Sequence, residues 1–141
     1  MSLEQFQLAF ARLVSDPNLV GSVRRGEPGP QFSRQMDQLD EIERRRITAM
    51  ADDPRMDVLC ALYRSNRLTA LVRTVPALVD ALGDRLSDTV TRFWREIPRH
   101  DLQFKSEGTA FCSFVADTSN DVELQRAAFE AQAELDARYA A

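Results

Sequence analysis

The residues that could carry out acid–base or nucleophilic chemistry are few in this sequence. Its single histidine, His100, follows Pro98 in the turn IPRHDL, and its two cysteines are Cys60 and Cys112. Nucleophilic catalysis needs an imidazole beside an exposed serine or cysteine, and no spacing here supplies that pair. Both cysteines fall in apolar helical patterns, which predicts that they are buried. A small enzyme that uses His100 with a carboxylate is the alternative left open.

The sequence also has few residues that could bind a metal or a cofactor. Two cysteines without CxxC or Cys/His spacing make no zinc site, and one histidine cannot supply the two Glu-x-x-His pairs of a di-iron bundle. The carboxylates of Asp52 and Asp53, and those of Asp40, Glu41 and Glu43, lie at predicted helix starts, where capping explains them. No GxSxG, P-loop or GxGxxG motif is present. The sequence therefore predicts no catalytic residue, metal ligand or cofactor in this chain.

A third group consists of arginine, tyrosine and asparagine side chains within an apolar helix. These are Tyr63, Arg64, Asn66, Arg67 and Arg73, which are followed by Pro76. Tyr63, Arg67 and Ala70 share one line on a helical wheel, and Arg and Tyr favour the cores of protein interfaces. The alternative is structural: Asn66 bonds a neighbouring backbone group, and the arginines cover apolar surface with their stems. Composition alone does not decide between the two interpretations.

The composition is that of one ordinary globular domain. The chain has 141 residues, of which 44% are hydrophobic and 28% are charged, so it can bury a core without disulfides or metals. No apolar run approaches the roughly 18 residues of a membrane span, and the start, MSLEQFQLAF, lacks the basic region of a signal peptide. We therefore expect a cytoplasmic protein and a single helical domain over residues 1–141.

Charge is distributed unevenly along the chain. The net charge is −4, yet residues 24–73 hold ten Arg against eight acidic residues, and residues 101–141 hold eight acidic residues against three basic ones. A DNA-binding domain usually shows a basic surface and a high pI. The acidic total makes nucleic acid an unfavoured partner. A DNA-binding or regulatory helical protein that contacts phosphates through residues 24–73 is the alternative function.

The elements that position these residues are predicted to be helices. Apolar residues recur at spacings of three and four, and no alternating run indicates a strand. We therefore predict an all-α fold, a compact bundle of about seven or eight helices with no significant sheet. Residues 26–38, GEPGPQFSRQMDQ, contain two Pro, two Gly and no period, which predicts one long mobile loop.

Helix starts and apolar faces follow from the same pattern. Asp16-Pro17 and Asp53-Pro54 are N-terminal signals, and Pro76 and Gly83 delimit a short helix. The helix LDEIERRRITAMA is predicted to bury Leu39, Ile42, Ala49 and Met50. The next helix, over residues 55–75, is predicted to bury Leu59, Leu62, Tyr63, Leu71, Val72 and Val75.

The stretch from Cys60 to Val115 resembles the helical N-terminal domain of the MbnC, HvfC and BufC proteins. The shared pattern is a Tyr-Arg-x-Asn helix, an Arg-x-x-Pro junction, a Leu-Gly stop, an aromatic before a Pro, and a Phe-rich helix. Its elements in this sequence are Tyr63-Arg64 with Asn66, Arg73 to Pro76, Leu82-Gly83, Phe93-Trp94 to Pro98, and Phe104 with Phe111 and Phe114. Residues 54–116 are the family-like core, residues 1–50 match less well, and residues 120–140 are a predicted C-terminal helix.

The resemblance implies a non-catalytic accessory subunit in the maturation of ribosomally made peptides. Proteins of this family form a heterodimer with a TIM-barrel oxidase, which holds two or three iron ions and performs the O₂ chemistry, and they help it recruit the leader of a precursor peptide. The residues that the resemblance places at or beneath the docking surface are Tyr63, Arg64, Asn66, Arg67, Arg73, Pro76 and Trp94.

Longer relatives continue into a β-containing segment that captures a leader peptide by strand addition. This sequence ends at Ala141, inside or just after a predicted helix. The resemblance therefore leads us to expect that the helical domain serves mainly to dock the oxidase, or that the peptide lies in a groove between helices.

Overall fold

The fold is all-α. The computed structural model describes residues 3–98 and 103–140, which contain nine α-helices, one short 3-10 helix over Gly83–Arg85 and no strand. The α-helices are α1 (Leu3–Ser15), α2 (Pro17–Arg24), α3 (Pro30–Asp37), α4 (Glu41–Asp52), α5 (Arg55–Thr74), α6 (Pro76–Leu82), α7 (Leu86–Glu96), α8 (Phe104–Thr118) and α9 (Val122–Tyr139). The prediction of an all-α fold without a sheet is confirmed for these residues.

The chain divides into two compact units, residues 1–64 and residues 65–141. The first unit contains α1 to α4 and the amino-terminal half of α5, and the second contains the rest of α5 and α6 to α9. Each unit has its own cluster of buried apolar side chains. That residues 1–141 behave as a single domain stays a prediction.

Carboxylates begin three helices of the first unit at places that the sequence indicates. Asp16 accepts hydrogen bonds from two backbone N–H groups in the first turn of α2, at 3.0 and 3.2 Å. Asp40 and Glu43 form a reciprocal capping box at the start of α4. Asp53 accepts from the backbone N–H of Arg55 at 2.9 Å, at the start of α5. These carboxylates satisfy N–H groups that the first turn of a helix leaves unpaired.

The predicted loop over residues 26–38 is wrong, because α3 occupies most of it. Gly29 has a φ of 84° and precedes Pro30, the first residue of the helix, where a proline loses no intrahelical hydrogen bond. Phe32 is 1% exposed, and Met36, one turn later, is partly buried against the same core. This spacing of Phe32 and Met36 is a helical signal that the Gly and Pro content of the segment obscures.

The buried apolar side chains of the first unit come from every helix in it. They are Ala9, Leu13, Leu19, Val20, Phe32, Leu39, Ile47, Ala51, Met56 and Cys60. The predicted apolar face of α4 is partly wrong, because Ile42 is 63% exposed and Ala49 is exposed. The helix buries Ile47 and Ala51 instead. These two residues are one turn apart, and 3.6 residues per turn place Ile42 and Ala49 on the other side of α4.

The second unit is built around an aromatic cluster and the packing of α8 with α9. The ring of Phe93 in α7 lies 5.1 Å from that of Phe111 and 5.4 Å from that of Phe114, both in α8. At Gly108, α8 approaches α5 so closely that a Cβ there would lie 2.6 Å from Thr74 Oγ1. Further buried apolar residues of this unit are Leu71, Val75, Leu78, Leu82, Val90, Trp94, Cys112, Val115, Leu124, Ala128, Ala131 and Leu135.

Candidate functional site

The two sides of α5 differ sharply in burial. The buried side chains lie along one side, and they are Met56, Cys60, Arg67, Ala70, Leu71 and Thr74. The opposite side is exposed and includes Val58, Leu59, Leu62, Asn66, Thr69, Val72 and Arg73. The prediction that Leu59, Leu62 and Val72 are core residues is therefore wrong. Apolar residues occur on both sides of this helix, so periodicity alone does not select the buried side.

Arg67 is buried in the second unit as half of an ion pair with Glu107 of α8. Both side chains are 1% exposed. The Arg67 Nε donates to the two carboxylate oxygens of Glu107 at 2.9 and 3.1 Å, and Nη2 lies 2.8 Å from Oε1. Nη1 donates to the backbone oxygen of Ile97 at 2.5 Å. The guanidinium carbon also lies 5.0 Å from the centre of the Phe93 ring, so its charge and its donors are engaged on several sides.

This ion pair joins three parts of the second unit. Arg67 belongs to α5, Glu107 to α8, and Ile97 is the residue that follows α7. A buried charge is tolerated only when it is paired and hydrogen-bonded, so the burial of Arg67 depends on Glu107. Glu107 is not among the site residues predicted from the sequence. The available signal is that Glu107 lies one helical turn from Phe104 and from Phe111, on an otherwise apolar face of α8.

The remaining predicted site residues differ in their burial. Tyr63 and Arg64 are half-buried, whereas Asn66, Arg73 and Pro76 are exposed. Trp94 is 8% exposed and belongs to the core of the second unit. The line through Tyr63, Arg67 and Ala70 exists as predicted from the helical wheel. It lies on the inward side of α5, since Arg67 and Ala70 are buried.

A group of neighbouring exposed apolar side chains of the first unit lies at the amino-terminal half of α5. Val58 is 58% exposed and Leu62 is 57% exposed, and Leu59 lies between them. Beside them is an open groove of about 430 Å³ whose apolar walls are Phe10, Met50, Met56, Val58 and Leu59. We call this surface, Phe10, Met50, Met56, Val58, Leu59 and Leu62, the docking face. Contiguous exposed apolar surface is typical of protein interaction sites.

The rim of the docking face carries charges that are already matched. Arg55 and Asp53 form an ion pair with Nη2 and Oδ2 2.7 Å apart, and hydrogen bonds from Arg55 lower the pKa of Asp53 to about 2. Arg24 of α2 donates to the backbone oxygens of Ala51 and Asp53 at 2.7 and 3.1 Å and pairs with Asp57 at 3.0 Å. These contacts hold the α4–α5 turn that borders the groove.

The two cysteines are buried, as predicted. Burial raises the pKa of the Cys112 thiol to about 11 and also raises the pKa of Cys60. Cys60 Sγ donates to the backbone oxygen of Leu13 at 3.4 Å. The thiolate, and not the thiol, is the nucleophile and metal ligand, so both groups are held in the unreactive form at neutral pH. His100, the other candidate for acid–base chemistry, lies outside the described residues.

Among residues 3–98 and 103–140, no three His, Cys, Asp or Glu side chains are grouped so that they could hold a metal ion. In the same part of the chain, every helix is too short or too polar to cross a lipid bilayer.

No protein-family model, no curated protein and no solved structure matches this chain. Membership of the MbnC, HvfC and BufC family therefore stays a prediction from the residues that carry the resemblance.

Proposed function

We propose that this protein is a non-catalytic accessory subunit that binds a TIM-barrel multinuclear iron oxidase and helps it recruit a precursor peptide. The observation that carries the proposal is the docking face. Val58, Leu59 and Leu62 leave apolar side chains in water at the edge of an open groove, and burying such surface against a partner is favourable at roughly 25 cal/mol per Å². The identity of the partner comes from the sequence resemblance.

The composition of the docking face supports a protein partner. Methionine side chains adapt their shape to what they contact, and Met50, which is only partly buried, lines the groove. A rim of satisfied charges around an apolar centre is the usual anatomy of a protein interface. The ion pair of Asp53 and Arg55 provides such a rim.

Four of the ten arginines of residues 24–73 also favour a protein partner over a nucleic acid. Arg24, Arg45 and Arg55 are paired with carboxylates of their own unit. Arg67 is buried with Glu107. Non-specific DNA binding needs basic side chains that are available to neutralise phosphates, and these four guanidinium groups already have anionic partners.

The test is co-expression of this chain with a TIM-barrel multinuclear iron oxidase of the kind that the resemblance implies, followed by size-exclusion chromatography with light scattering. We expect a 1:1 complex. Leu62→Glu places a charge at the most carboxyl-terminal residue of the docking face, where the side chain is 57% exposed, and is expected to weaken the complex at least about tenfold, the loss typical of an interface hot spot. Phe129→Glu is the matched control, because Phe129 is also exposed but belongs to α9 of the second unit.

Two results would contradict the proposal. One is the absence of a complex with the oxidase at micromolar concentration. The other is equal loss of binding in Leu62→Glu and Phe129→Glu, which would show that the effect comes from added negative charge and not from the docking face. Turnover of a substrate by the purified chain alone would contradict the non-catalytic assignment.

A further inference from the structure

A second cavity, in the other unit, has a different chemical character. It lies between α7 and the turn from α8 to α9 and has a volume of about 310 Å³. Buried side chains of Leu82, Val115 and Leu124 line it on the inside, and the exposed Arg92 and Asn120 line it on the outside. The other lining residues are polar, and among them Thr89 is buried beside the apolar side chains. Apolar side chains combined with polar groups that fix orientation are the usual composition of a site for a small ligand or a single side chain.

Two arginines lie at the mouth of this cavity, and among the residues that the structure describes only one of them has an anionic partner. Arg85 Nη1 donates to Asp121 Oδ2 at 2.9 Å, and this hydrogen bond lowers the pKa of Asp121, so the pair is neutral overall. Arg92 lies seven residues further, about two helical turns. Its guanidinium carbon lies 6.0 Å from the centre of the Phe114 ring, and no carboxylate of residues 3–98 and 103–140 forms an ion pair with it.

The electrostatic consequence is an excess of one positive charge beside an apolar floor. The wall on the α8–α9 side is held in place, because the Ser119 hydroxyl accepts from the backbone N–H of Asp121 at 3.1 Å and the Ser119 backbone oxygen accepts from Gln125 at 2.7 Å. A ligand that uses the whole cavity therefore needs an apolar group for the floor and an anionic group for Arg92.

We infer that this cavity binds the C-terminal residue of a peptide that ends in an apolar amino acid. The apolar side chain lies against Leu82, Val115 and Leu124. The terminal carboxylate accepts hydrogen bonds from the planar guanidinium of Arg92, a group well suited to binding carboxylates. Asn120 and Ser119 provide hydrogen-bonding groups at the mouth for the last peptide amide, which a fatty acid with the same carboxylate and apolar chain lacks.

This site is separate from the proposed function. The docking face belongs to residues 1–64, whereas the cavity is formed by residues 82–124. The site is measured on the purified chain without an oxidase, so the failure of one proposal does not imply the failure of the other.

The test is an NMR titration of the ¹⁵N-labelled full chain with two acetylated hexapeptides of the sequence Gly-Ser-Gly-Ser-Ala-Leu. One peptide has a free C-terminal carboxylate and the other a C-terminal amide. We expect saturable shifts of the amide signals of residues 89–92 and 118–124 with the carboxylate peptide. The amide peptide is expected to bind about fivefold more weakly, because it lacks the ion pair with Arg92.

Two variants that each remove one positive charge from α7 test whether the preference for the carboxylate peptide comes from Arg92. Arg92→Gln is expected to weaken the carboxylate peptide about fivefold and to leave the amide peptide unchanged. Arg95→Gln removes the same charge from an exposed position of α7 that does not line the cavity, and it is expected to bind the carboxylate peptide like the wild type. Both side chains are exposed, and the unchanged spectrum of each free variant verifies its fold.

Three outcomes of the peptide titrations would overturn the inference. They are equal binding of the two peptides, equal loss in Arg92→Gln and Arg95→Gln, and shifts that lie outside residues 82–124. Decanoate, which also combines a carboxylate with an apolar chain, is titrated as the alternative ligand. Tighter binding of decanoate than of the carboxylate peptide, with loss in Arg92→Gln, would assign the cavity to fatty acids and would also overturn the peptide assignment.

Discussion

Each half of α5 contains side chains whose burial is the reverse of what their polarity predicts. In the first unit, α5 exposes Val58 and Leu62, each more than half accessible to solvent. In the second unit the same helix buries Arg67, which is 1% exposed. A leucine is among the cheapest side chains to bury and an arginine among the most costly.

The difference shows that burial along this helix is decided by the neighbours and not by the polarity of each residue. Glu107 and the backbone oxygen of Ile97 supply Arg67 with the partners that a buried guanidinium needs. The outer side of α5 at Leu62 has no comparable covering element within the described part of its unit. If hydrophobicity alone decided burial, Leu62 would be buried and Arg67 would be exposed.

The largest effect is expected from breaking the buried ion pair. Arg67→Met keeps most of the stem volume but removes the guanidinium that pairs with the buried Glu107 carboxylate, so the free energy of unfolding is expected to fall by about 3–5 kcal/mol. Urea unfolding followed by circular dichroism measures this change. The double variant Arg67→Met with Glu107→Leu is the control, because it removes both charges and is expected to recover most of the loss.

A loss of less than about 1 kcal/mol in Arg67→Met, the size expected for an exposed ion pair, would contradict the buried arrangement.

A smaller effect is expected at the close contact between α8 and α5. In Gly108→Ala the new Cβ lies 2.6 Å from Thr74 Oγ1 and 3.1 Å from Leu135 Cδ2, and overpacking of this kind is expected to cost about 1–3 kcal/mol of unfolding free energy. Gly21→Ala in α2 is the control. Its Cβ meets only the end of the Arg25 side chain at 3.2 Å, so the higher helix propensity of alanine is expected to stabilise it by up to about 1 kcal/mol.

If Gly108→Ala is as stable as the wild type, α8 does not approach α5 at this distance in solution.

The smallest effect on stability is expected on the docking face. Leu62→Ala is expected to change the unfolding free energy by less than about 0.5 kcal/mol, because the side chain is already largely in water. Leu71→Ala, on the buried side of α5, is the control and is expected to cost about 2–5 kcal/mol. Similar losses in the two variants would show that Leu62 is covered in the free protein, and the docking face would then not exist.

The sequence predicts local features of this protein well. Asp16, Asp40 and Asp53 begin helices at the expected positions, and Pro76 begins α6 while Gly83 follows its last residue with a φ of 51°. Each of these signals acts within one turn of the backbone, so a stretch of a few residues contains all the information it needs.

Prediction from the sequence fails where the burial of a residue depends on a partner that is distant in the chain. The segment over residues 26–38 contains enough Gly and Pro to indicate a loop, yet burial of Phe32 stabilises α3 within it. The helical wheel places Tyr63, Arg67 and Ala70 on one line, but it does not show whether that line faces a partner protein or the interior. The seven predicted site residues are accordingly divided between the surface and the core.

The sequence by itself determined that the chain is helical, where most helices begin and end, and that both cysteines are buried. Only the tertiary structure decided which side of α5 faces inward, because that choice required Glu107, which lies 40 residues from Arg67 in the chain. Helix periodicity and capping are set by neighbours within about four residues. Whether a charged side chain is buried depends on which element packs against it, and here that element lies far from the charge in the sequence.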